Sequence, residues 1–182
     1  MKYIALLRGI NISGKNKISM GELKSELEKK YKNVSTYLNS GNVIFESEIK
    51  DKETIMNNIY QIVKNKFDLE IPVFVMMTDE LEDILNHKPE WWGTDNKEIY
   101  DNLIFIIPPT KYEDVYNAIW EPKQDIDQIK EYKNSIFWSF DLKNYRKSNW
   151  WVKTASTDIK DRITIRTANT MKKVLEIAKN KF

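Results

Sequence analysis

The chain reads as an α+β protein of two ferredoxin-like (βαββαβ) halves packed together, with an extra C-terminal helix. Three observations carry this. Each half gives the order βαββαβ followed by a further helix. Hairpin signals, Asn39-Ser40-Gly41 and Lys133-Asn134, fall at corresponding places in the two halves. The runs Ile4–Leu7, Val73–Met77, Leu103–Ile107 and Ile136–Phe140 are almost unbroken apolar stretches. A sheet with helices on one face alone would alternate apolar and polar residues, so these runs imply strands covered on both faces. The simplest cover is the other half of the same chain, and a homodimer would serve as well. The repeat is one of topology, without a residue-by-residue match.

The first half opens with a strand, Met1–Leu7, and a basic loop, Arg8–Lys17. Ser19-Met20-Gly21-Glu22 has the form of a capping box and starts a helix over Met20–Lys32, with Met20, Leu23, Leu27 and Tyr31 on its apolar face. Strands Val34–Leu38 and Asn42–Ser47 flank the first turn. A helix over Asp51–Phe67 turns Ile55, Ile59, Ile62, Val63 and Phe67 inward. Ile71–Met77 is the fourth strand, with Pro72 at its mouth, where no ladder donor is needed. Thr78 is placed to cap a short helix, Asp79–Asn86.

The halves span residues 1–87 and 102–182, joined by a connector, 88–101, that is mostly polar apart from Trp91-Trp92. The second half begins with the strand Asn102–Ile107. Thr110-Lys111-Tyr112-Glu113 is a second capping box for a helix to about Trp120. Gln128–Tyr132 and Ser135–Phe140 form the second hairpin. Leu142–Ser156 reads as helix, Arg162–Arg166 as a short strand, and Thr167–Asn180 as the closing helix.

A formal net charge of +2 names no partner, so a nucleic-acid binder must hold its charge in a local patch. The chain has no Cys, which excludes a disulfide frame and a thiolate metal site. The apolar run at the start is too short for a signal segment, and nothing approaches a membrane span, so a cytoplasmic protein is expected. The basic residues are nearly all Lys, the Arg residues being Arg8, Arg146, Arg162 and Arg166; an Arg kept in such a chain points to use of its guanidinium fork.

Gly9-Ile10-Asn11-Ile12-Ser13-Gly14-Lys15-Asn16 comes close to a phosphate-cradling P-loop. Asn16 stands where the Mg²⁺-binding hydroxyl belongs, the helix cap comes only at Ser19, and a hairpin follows in place of parallel βα units. A nucleoside triphosphatase is therefore rejected. A structural loop with Ile10 and Ile12 tucked inward, or a modest anion site served by Arg8, Lys15 and Lys17, remains. His87, the one His, is expected to be an ordinary solvated residue, and Asp79, Glu80, Glu82 and Asp83 a solvated helix face. Trp150-Trp151 beside Tyr145, Arg146 and Lys147 mixes rings with charge as a nucleic-acid surface does, although Trp buried between lobes is the plainer reading. The order βαββαβ also fits an RNA-recognition module, but only Phe45 is aromatic in Ser40–Phe45, and buried faces leave no stacking surface.

The motif Arg8–Ile18 and the motif Ser40-Gly41-Asn42-Val43-Ile44-Phe45 together resemble the bacterial family known as domain of unknown function 1697. The resemblance extends over essentially the whole chain. A third motif of that family, Thr-x-Arg-Asn-Trp-x-Thr, is matched by Thr164, Arg166 and Thr170, with Thr167 and Ala168 replacing Asn and Trp. The resemblance implies two ferredoxin-like halves and no particular activity.

These readings converge on a non-catalytic binding or adaptor protein with a phosphate-bearing ligand, a nucleotide or nucleic acid. The expected contacts are Arg8, Asn11, Lys15, Lys17, Arg166 and Asn169, with Arg8 and Arg166 forming a two-Arg clamp if the strand ends meet. No metal or cofactor is expected, and the chain is taken as a monomer or homodimer. The alternative is a small enzyme acting on a phosphorylated substrate in a cleft between the halves.

Overall fold

The computed structural model describes residues 1–180. The protein is α+β, with two four-stranded antiparallel sheets, and its chain divides into two compact units. One unit is Met1–Glu82 with the chain from Val174 onward; the other is Asp83–Lys173. Lys2 Nζ donates to the Ala178 carbonyl (3.3 Å) and Lys179 pairs with Glu82, so the end of the last helix groups with the first unit.

The first unit runs β1 (Lys2–Leu7), α1 (Met20–Glu28), β2 (Lys32–Tyr37), β3 (Asn42–Glu46), α2 (Lys52–Phe67), β4 (Val73–Met77) and the start of α3 (Thr78–Asn86). The second runs β5 (Ile99–Ile106), α4 (Tyr112–Ile119), β6 (Asp127–Tyr132), β7 (Ser135–Asp141), α5 (Asn149–Ser156), β8 (Ile163–Thr167) and the start of α6 (Ala168–Asn180). The strand orders are β2-β3-β1-β4 and β6-β7-β5-β8, so β1 and β5 hold equivalent inner places.

The inner strands of each sheet are buried on both faces, while the edge strands β2 and β6 keep exposed positions. In the first unit Tyr3, Ala5, Leu7, Val43 and Phe45 join the core beneath α1 and α2, while Ile4, Leu6, Ile44 and Met76, on the opposite pleat, are equally shut from water. In the second, Ile104, Ile106, Ile136 and Trp138 form one core face, and Leu103, Phe105 and Phe137 are buried on the other. Trp92 covers part of that second face, its ring 5.0 Å from Phe137 and its Nε1 donating to the Asn102 carbonyl at 2.6 Å. The stretch expected to be a polar connector thus contributes a core residue.

Tertiary pairing moved several boundaries. α1 stops at Glu28, short of Lys32, because Lys32 already pairs with Glu46 in the sheet; Tyr31 is buried against Phe45, with ring centroids 4.7 Å apart. β5 starts at Ile99, ahead of Asn102, because β7 extends to Asp141 and offers Ile99 a partner. Residues 142–156 are two pieces, a 3₁₀ helix Leu142–Lys147 and α5, parted by Ser148, which caps α5 through Trp151 N–H at 2.9 Å.

Two expected caps are replaced. Thr78 lies within α3 with its hydroxyl buried and unpartnered, and Glu80 instead accepts from the Met77 N–H at 2.7 Å. The cap of α4 is Lys111, whose N–H donates to Asp114 at 2.9 Å, in place of Thr110 and Glu113. In both cases a carboxylate three residues along accepts the free N–H, which moves the cap one position back in α3 and one position on in α4.

Gly41 shows how tightly the first hairpin is docked. It sits at φ 83°, and a Cβ there would lie 2.8 Å from Leu7 Cβ and 3.0 Å from Ile10 Cδ1. Gly41→Ala is expected to cost about 1–3 kcal/mol from the positive φ alone, with the clash added, read as a lowered urea midpoint. An unchanged midpoint would show that the hairpin is not seated on β1.

Candidate functional site

The loop after β1 is built from residues in the left-handed region: Gly9, Asn11, Ser13, Gly14 and Asn16 all have φ between 48° and 76°. Lys15 N–H donates to the Ile12 carbonyl at 2.8 Å across Ser13-Gly14, the signature of a tight turn with two positive φ values. Asn11 N–H donates to the Asn16 carbonyl at 3.1 Å, and Asn16 Nδ2 returns a bond to the Gly9 carbonyl at 2.9 Å. The loop is therefore a small closed hairpin and not a phosphate-wrapping P-loop. Ile10 is buried as expected, but Ile12, expected inward, is 59% exposed at the tip because the turn swings it away from the core.

Asn11 is the pin of this region. Its Nδ2 donates to the carbonyls of Ile18 (3.0 Å) and Asn39 (2.8 Å), and its Oδ1 accepts from Ile18 N–H (2.9 Å). One amide thus ties the loop to the entry of α1 and to the β2–β3 turn. Ser19 Oγ accepts from Glu22 N–H at 3.3 Å and caps α1. The first N–H groups of a helix have no partner within it; here the first residues of α1, Met20 and Gly21, line an open depression together with Gly14, Lys17 and Asn39.

Lys15 and Lys17 are exposed, and among the described residues neither has a carboxylate within ion-pair distance. The chain carries no Asp or Glu before Glu22. Elsewhere Lys is commonly paired, as in Lys52–Glu80 (2.6 Å), Lys64–Glu70 (2.6 Å) and Lys32–Glu48 (2.9 Å). Arg8 follows β1, its N–H donating to the Pro72 carbonyl at 2.9 Å, and its residue is half-buried. The structure thus brings Asn11, Lys15 and Lys17 onto one loop with Arg8 at its root.

Arg166 and Asn169 belong to the second unit. Arg166 is 8% exposed on β8, and its Nη1 donates to Thr164 Oγ1 and to the Ile165 carbonyl, both at 2.9 Å. Asn169 is exposed in the first turn of α6, beside a shallow depression lined also by Lys97, Asp95 and Asp101. Thr167 caps α6, accepting from Thr170 N–H at 3.3 Å.

The Trp pairs separate into core and surface. Trp92 and Trp150 are buried, whereas Trp151 is 42% exposed. Trp151 is set edgewise against Phe140 (5.4 Å) and Tyr145 (5.2 Å), and Arg146 lies over the Tyr145 ring at 5.5 Å. Beneath them Asp127, buried, accepts from Trp138 Nε1 (3.0 Å) and Ser148 Oγ (2.6 Å). The sequence held no signal for that link, because Asp127 and Ser148 meet only through the sheet.

His87 is not simply solvated. Its ring stacks on Tyr132 at 4.5 Å, and Nδ1 lies 2.8 Å from the Asp83 carbonyl. The acidic face of α3 is likewise paired: Asp83 accepts from Lys133 (2.6 Å) and Tyr132 (3.1 Å), Glu80 pairs with Lys52, and Glu82 with Lys179. The carboxylates whose titration moves are all held below their ordinary range. The lead cause is Lys29 for Glu26, Lys32 for Glu48, Lys64 for Glu70, Lys133 for Asp83, the Thr54 hydroxyl for Asp51 and the Asn144 amide for Asp141. Among the described residues no group of three His, Asp or Glu is placed to hold a metal, and no helix is long and apolar enough to cross a membrane.

A chain of two four-stranded antiparallel sheets with a closed, basic loop after its first strand defines the class. The particular family follows from comparison: the chain belongs to the family described as protein of unknown function (DUF1697), whose model matches residues 1–137. That match includes the loop and hairpin motifs and ends before Thr164–Thr170. A conserved bacterial protein from Streptococcus pneumoniae has a similar structure, with a TM-score of 0.84 and 26% identity, covering 97% of this chain and 98% of that one. The crystal structure of the first two RRM domains of yeast poly(U) binding protein is also found, with a TM-score of 0.24 at 9% identity over 92% of this chain and 99% of that one. No curated protein matches.

Two outcomes test the site. Asn11→Ala removes three hydrogen bonds and leaves partly buried backbone groups unsatisfied, a loss of about 1–3 kcal/mol; Lys15→Ala should stay within about 0.5 kcal/mol of wild type, both read by denaturant melts. A large loss for Lys15→Ala would make that side chain structural. The depressed carboxylates contribute stability that is complete above their unfolded pKa of about 4 and is lost as pH falls through the lower folded values. The effect is modest because the pairs are exposed. The melting temperature should therefore fall as pH drops below about 4, and a rise over that interval would contradict the assignment.

Proposed function

We propose that the protein is a non-catalytic binding protein whose ligand presents a phosphate group to the loop between β1 and α1. One observation supports this reading: Lys15 and Lys17 are exposed and, among the described residues, have no carboxylate partner, and Lys17 lines the depression at the start of α1. An ammonium pair next to a positive helix end suits an anion with several acceptor oxygens. Arg8, at the root of the loop, adds to the same field. Asn11 serves this site by holding its shape, since its amide is already engaged on both sides.

The shifted carboxylates are moved down by cations or by hydroxyl and amide groups, which is the pattern of ion pairs and caps. The same reading takes the two units as ferredoxin-like halves related by duplication, in a cytoplasmic protein that is a monomer or homodimer.

Calorimetric titration of inorganic phosphate, pyrophosphate and adenosine triphosphate tests it. Wild type should bind at least one of them with a shallow salt dependence. The double variant Lys15→Ala, Lys17→Ala should lose about tenfold or more in affinity, equal to about 1.4 kcal/mol, while melting like wild type. No binding by wild type, or equal binding by the double variant, defeats the proposal.

A further inference from the structure

From the second unit we infer that the surface formed by Trp151, Tyr145 and Arg146, with the adjacent Lys147, binds single-stranded nucleic acid, with a base stacked on the Trp151 ring. This site lies on different residues from the loop of the first unit and does not rest on the reading given for it.

The segment Leu142–Ser156 contains Lys143, Arg146, Lys147 and Lys153 and no carboxylate, in a chain whose net charge is only +2. Lys143 is paired with Glu98 at 2.6 Å, but among the described residues Arg146, Lys147 and Lys153 have no carboxylate within ion-pair distance. Arg146 uses Nε on the Tyr145 hydroxyl (3.0 Å), which leaves the other donors of its fork for a phosphate. The Arg146 guanidinium over Tyr145, whose ring packs on the exposed Trp151 indole, is complementary to a polyanion that also offers planar rings.

The ring is held in place before any ligand arrives. Phe140 and Tyr145 pack against it at interplanar angles of 61° and 79°, which fixes its tilt. Its backbone is fixed by the buried chain Asp127–Ser148: Ser148 Oγ donates to Asp127 and accepts from Trp151 N–H. A fixed ring loses little conformational freedom when a base lands on it. Nearby, just after α4, which packs against α5, Trp120 is 66% exposed and its carbonyl accepts from Trp150 Nε1 at 3.1 Å.

The ligand must be single-stranded, because in a duplex the base faces are already stacked on one another. An acidic peptide would satisfy the cations but would leave the indole face without a partner.

The test is fluorescence anisotropy with labelled single strands of about 12 nucleotides, both RNA and DNA, at two salt concentrations, with vesicles of anionic phospholipid as a second arm. Wild type should bind a single strand, more weakly at high salt. Trp151→Ala should weaken binding about tenfold or more, with Trp151→Phe retaining most of it. Arg146→Glu with Lys147→Glu, both exposed, should abolish binding while the fold, read by circular dichroism, is kept; this arm stands even if Trp151→Ala fails to fold. Photo-crosslinking to 4-thiouridine RNA should place the adduct on the peptide that contains Trp151. The inference is overturned if no single strand binds, if only the vesicles bind, if the charge-reversed variant binds like wild type, or if the adduct maps to the loop of the first unit.

Discussion

Burial of both faces of the inner strands of each sheet is the constraint from which the other features follow. Ile4, Leu6, Ile44 and Met76 on one pleat and Tyr3, Ala5, Val43 and Phe45 on the other are all closed to water. Those strands offer no surface on which a ligand can be read out by their side chains. Recognition is left to the edge strands, to strand ends and to the segments between elements, where backbone groups and long side chains still meet solvent. The basic loop after β1 and the segment after β7 are two such places.

Within the loop, the two amide side chains and the two ammonium groups have separate tasks. Asn11 and Asn16 bond back to the chain and close the hairpin, which its run of positive φ values would otherwise leave poorly determined. Lys15 and Lys17 are exposed and, among the described residues, have no carboxylate within ion-pair distance. The docking of Gly41 on Leu7 and Ile10 brings the β2–β3 turn close enough for Asn11 to reach the Asn39 carbonyl. Rigid backbone and free charge in one short segment is what an anion site needs, since ordering the loop costs nothing further when the ligand binds.

The second unit reaches a similar end by other means. Its exposed ring is fixed from beneath by a buried carboxylate that receives an indole and a hydroxyl, so the rigidity comes from the core rather than from loop bonds. Arg166, prominent in the sequence because Arg is rare in this chain, is buried and bonded to Thr164 and the Ile165 carbonyl. Arg146 resembles it in scarcity, yet it stands on the surface over a tyrosine ring.

The sequence by itself determined the element order, both hairpins and the double-sided strands, because those rest on local turn chemistry and on runs of apolar residues that pairing cannot undo. Met171, Val174 and Ala178 of the closing helix are buried on the face their spacing defines. It also pointed to the basic loop, whose glycines and lysines are adjacent in the chain. Only the tertiary structure decided where α1 yields to β2, since Lys32 enters the sheet only when Glu46 is beside it. It likewise decided that Ile12 faces out, that Glu80 and Asp114 replace the expected hydroxyl caps, and that Trp151 is exposed while Trp150 is buried. Each of these depends on a partner brought near by folding, and no spacing along the chain encodes that partner's distance.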